Sequence, residues 1–255
     1  MDQKHNIKIK TPEEIAVLAQ AGKILASIVK QLSCSLKSGM TTGELNAECD
    51  RLIAECGVKP AFKGYRGYPA STCISINQQV VHGIPGSRII HNGDLVSIDV
   101  GIIYREFYSD TAITLAVGEI SPRQKELLAV TQEALYEGIA RAKPGNRLSD
   151  ISHAIQTYAE TYDFSVVRDF VGHGIGRNLH EEPEIPNFGP PHQGPDLMPG
   201  MVLAIEPMVN MGTWQTKILD DGWTVETLDG KPSAHFEHSI AVTEKGPLIL
   251  TERNG

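Results

Sequence analysis

The sequence predicts an α+β fold made of two related αβ halves, and three observations predict it. A capped helix, a second helix and then strand-like runs occur between residues 11 and 118 and recur between 121 and 246. Matching segments share an offset: Lys37-Ser38-Gly39 with Lys143-Pro144-Gly145 at 106 residues, and residues 93–99 (GDLVSID) with 200–206 (GMVLAIE) at 107. Each of these last two segments runs from a glycine to a carboxylate, Asp99 or Glu206, at a strand end. Short matches are weak singly; two at offsets one residue apart favour duplication over chance. No low-complexity linker separates the halves, so residues 1–255 read as a single domain with pseudo-repeats at about 11–118 and 121–246.

The elements follow in order. Thr11 can cap the first helix, Pro12 fits its first position, and Glu14 can complete a capping box. Ile15, Leu18, Ala19, Gly22 and Leu25 then recur at helical spacing. A second helix is expected from Thr41 or Thr42 to Gly57. Residues 73–76 alternate as a strand, 94–99 form a strand with a charged end, and 104–117 read as hairpin-like edge strands. Ser121-Pro122-Arg123-Gln124 opens a third helix that Lys143-Pro144-Gly145 ends, and residues 149–162 form a fourth. Strand-like runs return at 164–171, 201–205, 224–228 and 238–243. The Gly/Pro-rich stretch 183–200 is long for a connection, and an ordered functional loop and a plain surface loop stay equally open. From Asp99 to Asp110 is 11 residues, from Glu206 to Glu237 is 31, so the second half carries an insertion near 211–221.

Composition narrows the function classes. The 255 residues are 41% apolar and 21% charged, which is ordinary for an ordered globular chain. A net charge of −8 argues against a dedicated nucleic-acid binder and supplies no polybasic lipid anchor. No apolar run suggests a bilayer span, and MDQKHNIKIK at the start does not look like a secretory signal. Cys34, Cys49, Cys56 and Cys73 form no CxxC pair and no disulfide framework. A cytoplasmic monomer, without DNA or membrane partners, is the expectation.

The chemistry lies in carboxylates and histidines. Asp99, Asp110, Glu206 and Glu237 interrupt or end apolar runs, where a charged group needs a partner. One such residue alone reads as a surface charge; four at related positions read as a cation site. His173, in VGHGIG, has glycines on both sides that let the backbone approach a ligand, while the Rossmann spacing and a Walker lysine are absent. A histidine beside oxygen ligands suits Mn, Fe, Co or Zn better than Mg or Ca. His82 (VHGIP) and His180 (LHEEP) have turn and loop readings beside functional ones, and Pro183 forbids the helix of a zincin. His238 reads equally as a support for Glu237 or as packing; His5, His91, His153, His192 and His235 read as surface or packing residues. No GxSxG elbow or cysteine-nucleophile motif is present, so a metal-activated water is the better nucleophile.

The strings GYRGYPASTCISIN, VHGIPG, DVG…YSDTA, VGHGIGRNLHEEP, GMVLAIEPM and HFEHSIAVT, in order from about residue 60 to 243, resemble a type I methionine aminopeptidase of peptidase family M24. The resemblance implies the pita-bread (creatinase/aminopeptidase) fold, two pseudo-symmetric αβ halves with a curved antiparallel sheet. It implies a single metallopeptidase catalytic domain holding two divalent metal ions per chain (Co, Mn, Fe, Zn or Ni). By position, Asp99 would chelate one metal, Asp110 and Glu237 would bridge both, and His173 and Glu206 would complete the other. His82, His180 and Glu206 would be catalytic, and Tyr65, Tyr68, Cys73 and Trp223 would line the methionine pocket with His82 and His180. Phe62 and Leu179 stand at positions that vary, and core packing is the alternative for these apolar residues.

The implied activity is removal of the initiator methionine from nascent proteins when the second residue is small. Metal-hydroxide would attack the first peptide bond, Glu206 would move the proton, His180 would contact the carbonyl and His82 would lie near the scissile nitrogen. Nascent N-termini, with transient ribosome association, are the expected partners. No zinc-binding N-terminal extension and no type II insertion is seen, which leads to the expectation of a compact bacterial enzyme. The competing readings are a proline-specific peptidase of the same fold, expected to carry a further N-terminal domain, and a binding module that has lost its ligands.

Overall fold

Thr11 accepts the Glu14 N–H and Glu14 accepts the Thr11 N–H, a reciprocal cap that starts α1 (Pro12–Ser35) where the sequence places it. Thr41 and Glu44 repeat the device for α2 (Thr42–Glu55). The computed structural model describes residues 6–253. The first half continues through β1 (Lys59–Pro60), β2 (Thr72–Ile76), β3 (Gln79–Val81), β4 (Leu95–Tyr104) and β5 (Phe107–Ala116). Ser121 and Gln124 then cap α3 (Pro122–Arg141), which is followed by α4 (Leu148–Thr161). The strands of the second half are β6 (Ser165–Val166), β7 (Gly172–Gly174), β8 (Glu181–Ile185), β9 (Val202–Ile205), β10 (Met208–Asn210), β11 (Thr216–Ile218), β12 (Val225–Thr227), β13 (Ser233–His235), β14 (His238–Thr243) and β15 (Gly246–Ile249).

Every strand pair is antiparallel. In the first half β4 is flanked by β2 and β5; in the second β9 is flanked by β7 and β14, and the sheet extends to β8 and β15. Each half packs its two helices against its own sheet. Leu25, Ile28 and Leu32 of α1 and Leu45 of α2 meet Ile74, Ile98 and Val100, while Leu127, Leu135, Ile151 and Ile155 of α3 and α4 meet Leu203, Ile205 and Ile240. Each of these buried aliphatic side chains contributes about 1.5–3 kcal/mol. The helices therefore clamp the backs of the sheets and leave the opposite faces to each other.

Three details differ from the sequence reading. Asp99 lies within a strand rather than at a strand end, because the β4–β5 hairpin continues through Tyr104 and Phe107 before it turns. Only Ser165–Val166 of the expected run at 164–171 is a strand. The Gly/Pro-rich stretch begins inside β8, and its remainder is tied to the start of α4, with His192 N–H donating to Asp150 and Gln193 N–H to Ser149. A fourth point concerns α1, which by length and composition could cross a bilayer. Its apolar stripe instead packs against the strands of its own half.

Candidate metal centre

The two halves meet along β5. Asp110 N–H donates to Ser239 Oγ, which donates in turn to the Asp110 carbonyl. Thr111 Oγ1 donates to the Glu237 carbonyl at 2.6 Å, and Glu237 N–H donates to the Ala112 carbonyl at 3.0 Å. This seam brings Asp110 of one half beside Glu237 of the other. Asp99 stands opposite Cys73 on β2 and Ala112 on β5. Glu206 follows the last residue of β9 and Glu237 precedes the first of β14, where Ile205 pairs with His238.

His173 sits in the middle of β7, paired with Ala204 of β9 and Glu184 of β8. Its flanking glycines make room for these neighbouring strands rather than for a ligand: a Cβ on Gly172 would lie 2.5 Å from the Ala204 carbonyl, and one on Gly174 would lie 2.3 Å from that of Glu182. His173 Nδ1 is 2.9 Å from the Gly174 carbonyl. A carbonyl only accepts, so Nδ1 carries the hydrogen and Nε2 keeps its lone pair for the site.

One donor atom each from Asp110, His173 and Glu237 lie within 4.8 Å of one another. Glu206 joins them, its Oε1 3.5 Å from His173 Nε2. Asp99 Oδ1, Asp110 Oδ1 and Glu237 Oε1 are buried without a hydrogen-bond partner among the described residues. Burial drives the carboxyls up, Asp99 to about 7 and Glu206 to about 8, with Asp110 and Glu237 well above their usual range. Burial, then His180, pushes His173 down to about 3. Acceptors this dense and dry repel one another unless protons or cations share them. Mixed carboxylate and imidazole donors suit a divalent transition metal, so these residues fit such an ion.

A cavity of 150 Å³ opens onto this cluster. Its wall includes every expected site residue: the five ligand candidates, His82, His180, Tyr65, Tyr68, Cys73 and Trp223, together with Phe62 and Leu179. Tyr68 donates to the carbonyls of Thr72 and Gly83 and meets Trp223 edge to face at 5.1 Å. Burial raises the Cys73 thiol far above its usual range, so it stays a neutral, apolar wall. His82 holds a left-handed backbone (φ 59°) that turns its ring between Phe170 and Trp223, and burial lowers it to about 4. His180 lies 2.9 Å from the Tyr65 hydroxyl through Nδ1, and its ring is 4.3 Å from that of His173. Burial and the nearby Arg66 lower its pKa.

The other histidines lie elsewhere, with one exception. His153 contacts the Gly189 carbonyl, His192 pairs with Asp150, and His91 is exposed. His238 is hydrogen-bonded to Thr251 and packs on Tyr136, away from the cavity. His5 lies outside the described residues. The exception is His235, expected as a surface or packing residue, whose Nε2 is 3.6 Å from Glu206 Oε2. Its position two residues before Glu237 in an extended run puts both on one face, a signal the sequence offered. Arg66 on the cavity wall was also missed, and nothing local in the sequence marks it. A larger groove of 580 Å³ between α3, α4 and residues 191–192 holds no buried carboxylate cluster.

A family model described as metallopeptidase family M24 matches residues 16–244. The chain is 54% identical over 242 residues to methionine aminopeptidase 1 of Bacillus subtilis (strain 168), covering 95% of this chain and 98% of that one. A methionine aminopeptidase structure from Thermotoga maritima superposes with a TM-score of 0.95 at 48% identity, covering 96% of this chain and 99% of that chain. A prolidase from Pyrococcus furiosus superposes with a TM-score of 0.78 at 26% identity, and there the match covers 66% of the prolidase.

Proposed function

The chain belongs to metallopeptidase family M24 and has the pita-bread fold, and from that premise we propose how its residues carry out the reaction. It is a metal-dependent hydrolase, an aminopeptidase that removes N-terminal methionine. The observation that carries the site assignment is the dry convergence of Asp99, Asp110, His173, Glu206 and Glu237 at the floor of a cavity with an apolar wall. Asp99, Asp110, His173 through Nε2, Glu206 and Glu237 would hold the two divalent ions that the resemblance implies, and Co, Mn, Fe, Zn or Ni would suit this set. When bound, the ions supply Lewis-acid polarisation of a carbonyl and acidification of water.

The remaining steps belong to side chains. Tyr65, Tyr68, Cys73 and Trp223 hold an unbranched thioether side chain in the cavity, where Met–aromatic contact is favourable. His180, steadied by Tyr65, donates from Nε2 to the carbonyl of the first residue as negative charge develops there. His82 faces the scissile nitrogen. Glu206 accepts the proton of the attacking water and returns it to the leaving amine. A tight wall beyond this pocket would restrict the second residue to small types. The substrates are nascent polypeptide N-termini, met at the ribosome by a cytoplasmic monomer. Chelation should abolish release of methionine from Met-Ala-Ser and added Mn²⁺ should restore it; cleavage that survives chelation sinks this reading. Faster cleavage of Xaa-Pro peptides than of Met-Ala peptides would instead place the chain with the prolidase-like members.

A further inference from the structure

His235 is the buried group at the site for which the reaction has no task. Its backbone is locked to the other half, with its N–H donating to Thr114 Oγ1 and its carbonyl accepting from that same hydroxyl, both at 2.8 Å. Its side chain is 2% exposed, and Nε2 has no hydrogen-bond partner among the described residues. That atom faces Glu206 Oε2 at 3.6 Å, while Glu206 Oε1 faces His173 Nε2 at 3.5 Å. The carboxylate is therefore bracketed by two imidazoles with opposite duties. His173 shows a lone pair to the site because its hydrogen is on Nδ1. His235 facing the same carboxylate with a lone pair would set two acceptors against each other, so its hydrogen belongs on Nε2. The last torsion of a glutamate is soft, and a small turn brings the pair into hydrogen-bond range.

We propose that His235 is a positioning residue for Glu206: its Nε2–H holds Oε2 and leaves Oε1 aimed at the cation site beside His173. Without this tether the Glu206 carboxylate, to which no other side chain among the described residues donates, rotates among orientations that neither bind a cation nor face a water. The proposal rests on Glu206 being a ligand and proton carrier.

His235→Leu, His235→Gln and His235→Asn test it. The glutamine amide reaches the place of Nε2, the asparagine amide stops short of it, and leucine offers no donor. The measurements are kcat and KM for Met-Ala-Ser with Mn²⁺, and calorimetric Mn²⁺ titration of the metal-free protein. His235→Leu should lose about 10–100-fold in kcat and in Mn²⁺ affinity with little change in KM, the usual scale for an outer hydrogen-bond partner of a ligand. His235→Gln should recover most of both and His235→Asn should not. Equal losses in the Gln and Asn variants, or a wild-type His235→Leu, would overturn the tether. Loss of one full equivalent of Mn²⁺ in His235→Leu would overturn it too, by making His235 a ligand. If His235→Leu does not fold, the Gln–Asn contrast decides. Should the wild-type protein bind Mn²⁺ but leave Met-Ala-Ser intact, the peptidase reading fails by itself, and the Mn²⁺ affinities alone judge His235.

Discussion

Glu237 donates its backbone N–H to the carbonyl of Ala112, 3.0 Å away across the boundary between the two halves. Two residues along β5, Asp110 is fixed to the same boundary by Ser239, whose hydroxyl accepts one hydrogen bond from its backbone and donates another. The buried carboxylate cluster is thus assembled by the seam and belongs to neither half alone. Ser239→Ala strips both bonds from a buried strand and leaves a buried N–H unpaired, which costs about 1–3 kcal/mol. The variant should melt earlier and bind Mn²⁺ more weakly, so the fall in melting temperature should be larger with Mn²⁺ than in metal-free protein. Unchanged melting and unchanged Mn²⁺ affinity would mean that the seam is held elsewhere.

Glu206→Gln keeps the size of the side chain and removes its basicity. The Oε1 that faces His173 is retained, so folding and substrate binding should persist. Loss of a positioned proton acceptor costs about 10²–10⁴-fold in rate. Steady-state kinetics on Met-Ala-Ser should show that loss in kcat with KM nearly constant. A rate close to wild type would take the proton transfer away from Glu206.

The pH dependence of metal-free stability follows from the same burial. Asp99 at about 7 and Glu206 at about 8 bind protons in the folded chain that the unfolded chain releases near 3.8 and 4.5. Their contribution is present at low pH and is lost as pH rises through 7 and 8. His82, at about 4, and His173, at about 3, act oppositely, but only below their ordinary value of 6.5. Between pH 6.5 and 8 the carboxyls alone set the slope. The melting temperature of metal-free protein should fall across that window, and saturating Mn²⁺ should flatten it, because a cation displaces the protons. A metal-free melting temperature that is level or rising from pH 6.5 to 8 contradicts this account.

The helix starts were legible because capping is local chemistry. Thr11 with Glu14 and Ser121 with Gln124 each meet within one turn. The convergence of Asp99, Asp110, His173, Glu206 and Glu237 on one cavity was legible through position, from the 107-residue offset of Asp99 and Glu206 and from the resemblance. What escaped is non-local. Asp99 interrupts an apolar run that continues through Val100 and Ile102, and only the pairing with β5 shows that the strand does not stop there. Gly172 and Gly174 looked like space for a ligand, whereas the nearest approaching atoms are carbonyls of β9 and β8. Arg66 reaches the cavity through a left-handed turn, φ 49°, that its side chain does nothing to announce.

His180 separates a contact role from a ligand role. Its Nδ1 is engaged by the Tyr65 hydroxyl, and its ring stacks on Tyr65 at 5.3 Å with an interplanar angle of 28°. Its ring lies 4.3 Å from that of His173, yet it contributes no donor to the group of Asp110, His173 and Glu237 that could hold an ion. His180→Ala should therefore keep the full Mn²⁺ stoichiometry and lose about 10²–10³-fold in kcat, the scale of removing one donor to a developing oxyanion. Tyr65→Phe, which frees the ring without removing it, should lose less. Calorimetry and steady-state kinetics on the same preparations decide the matter: fewer Mn²⁺ equivalents in His180→Ala would make His180 a ligand, and a larger loss in Tyr65→Phe than in His180→Ala would give the donor role to the tyrosine.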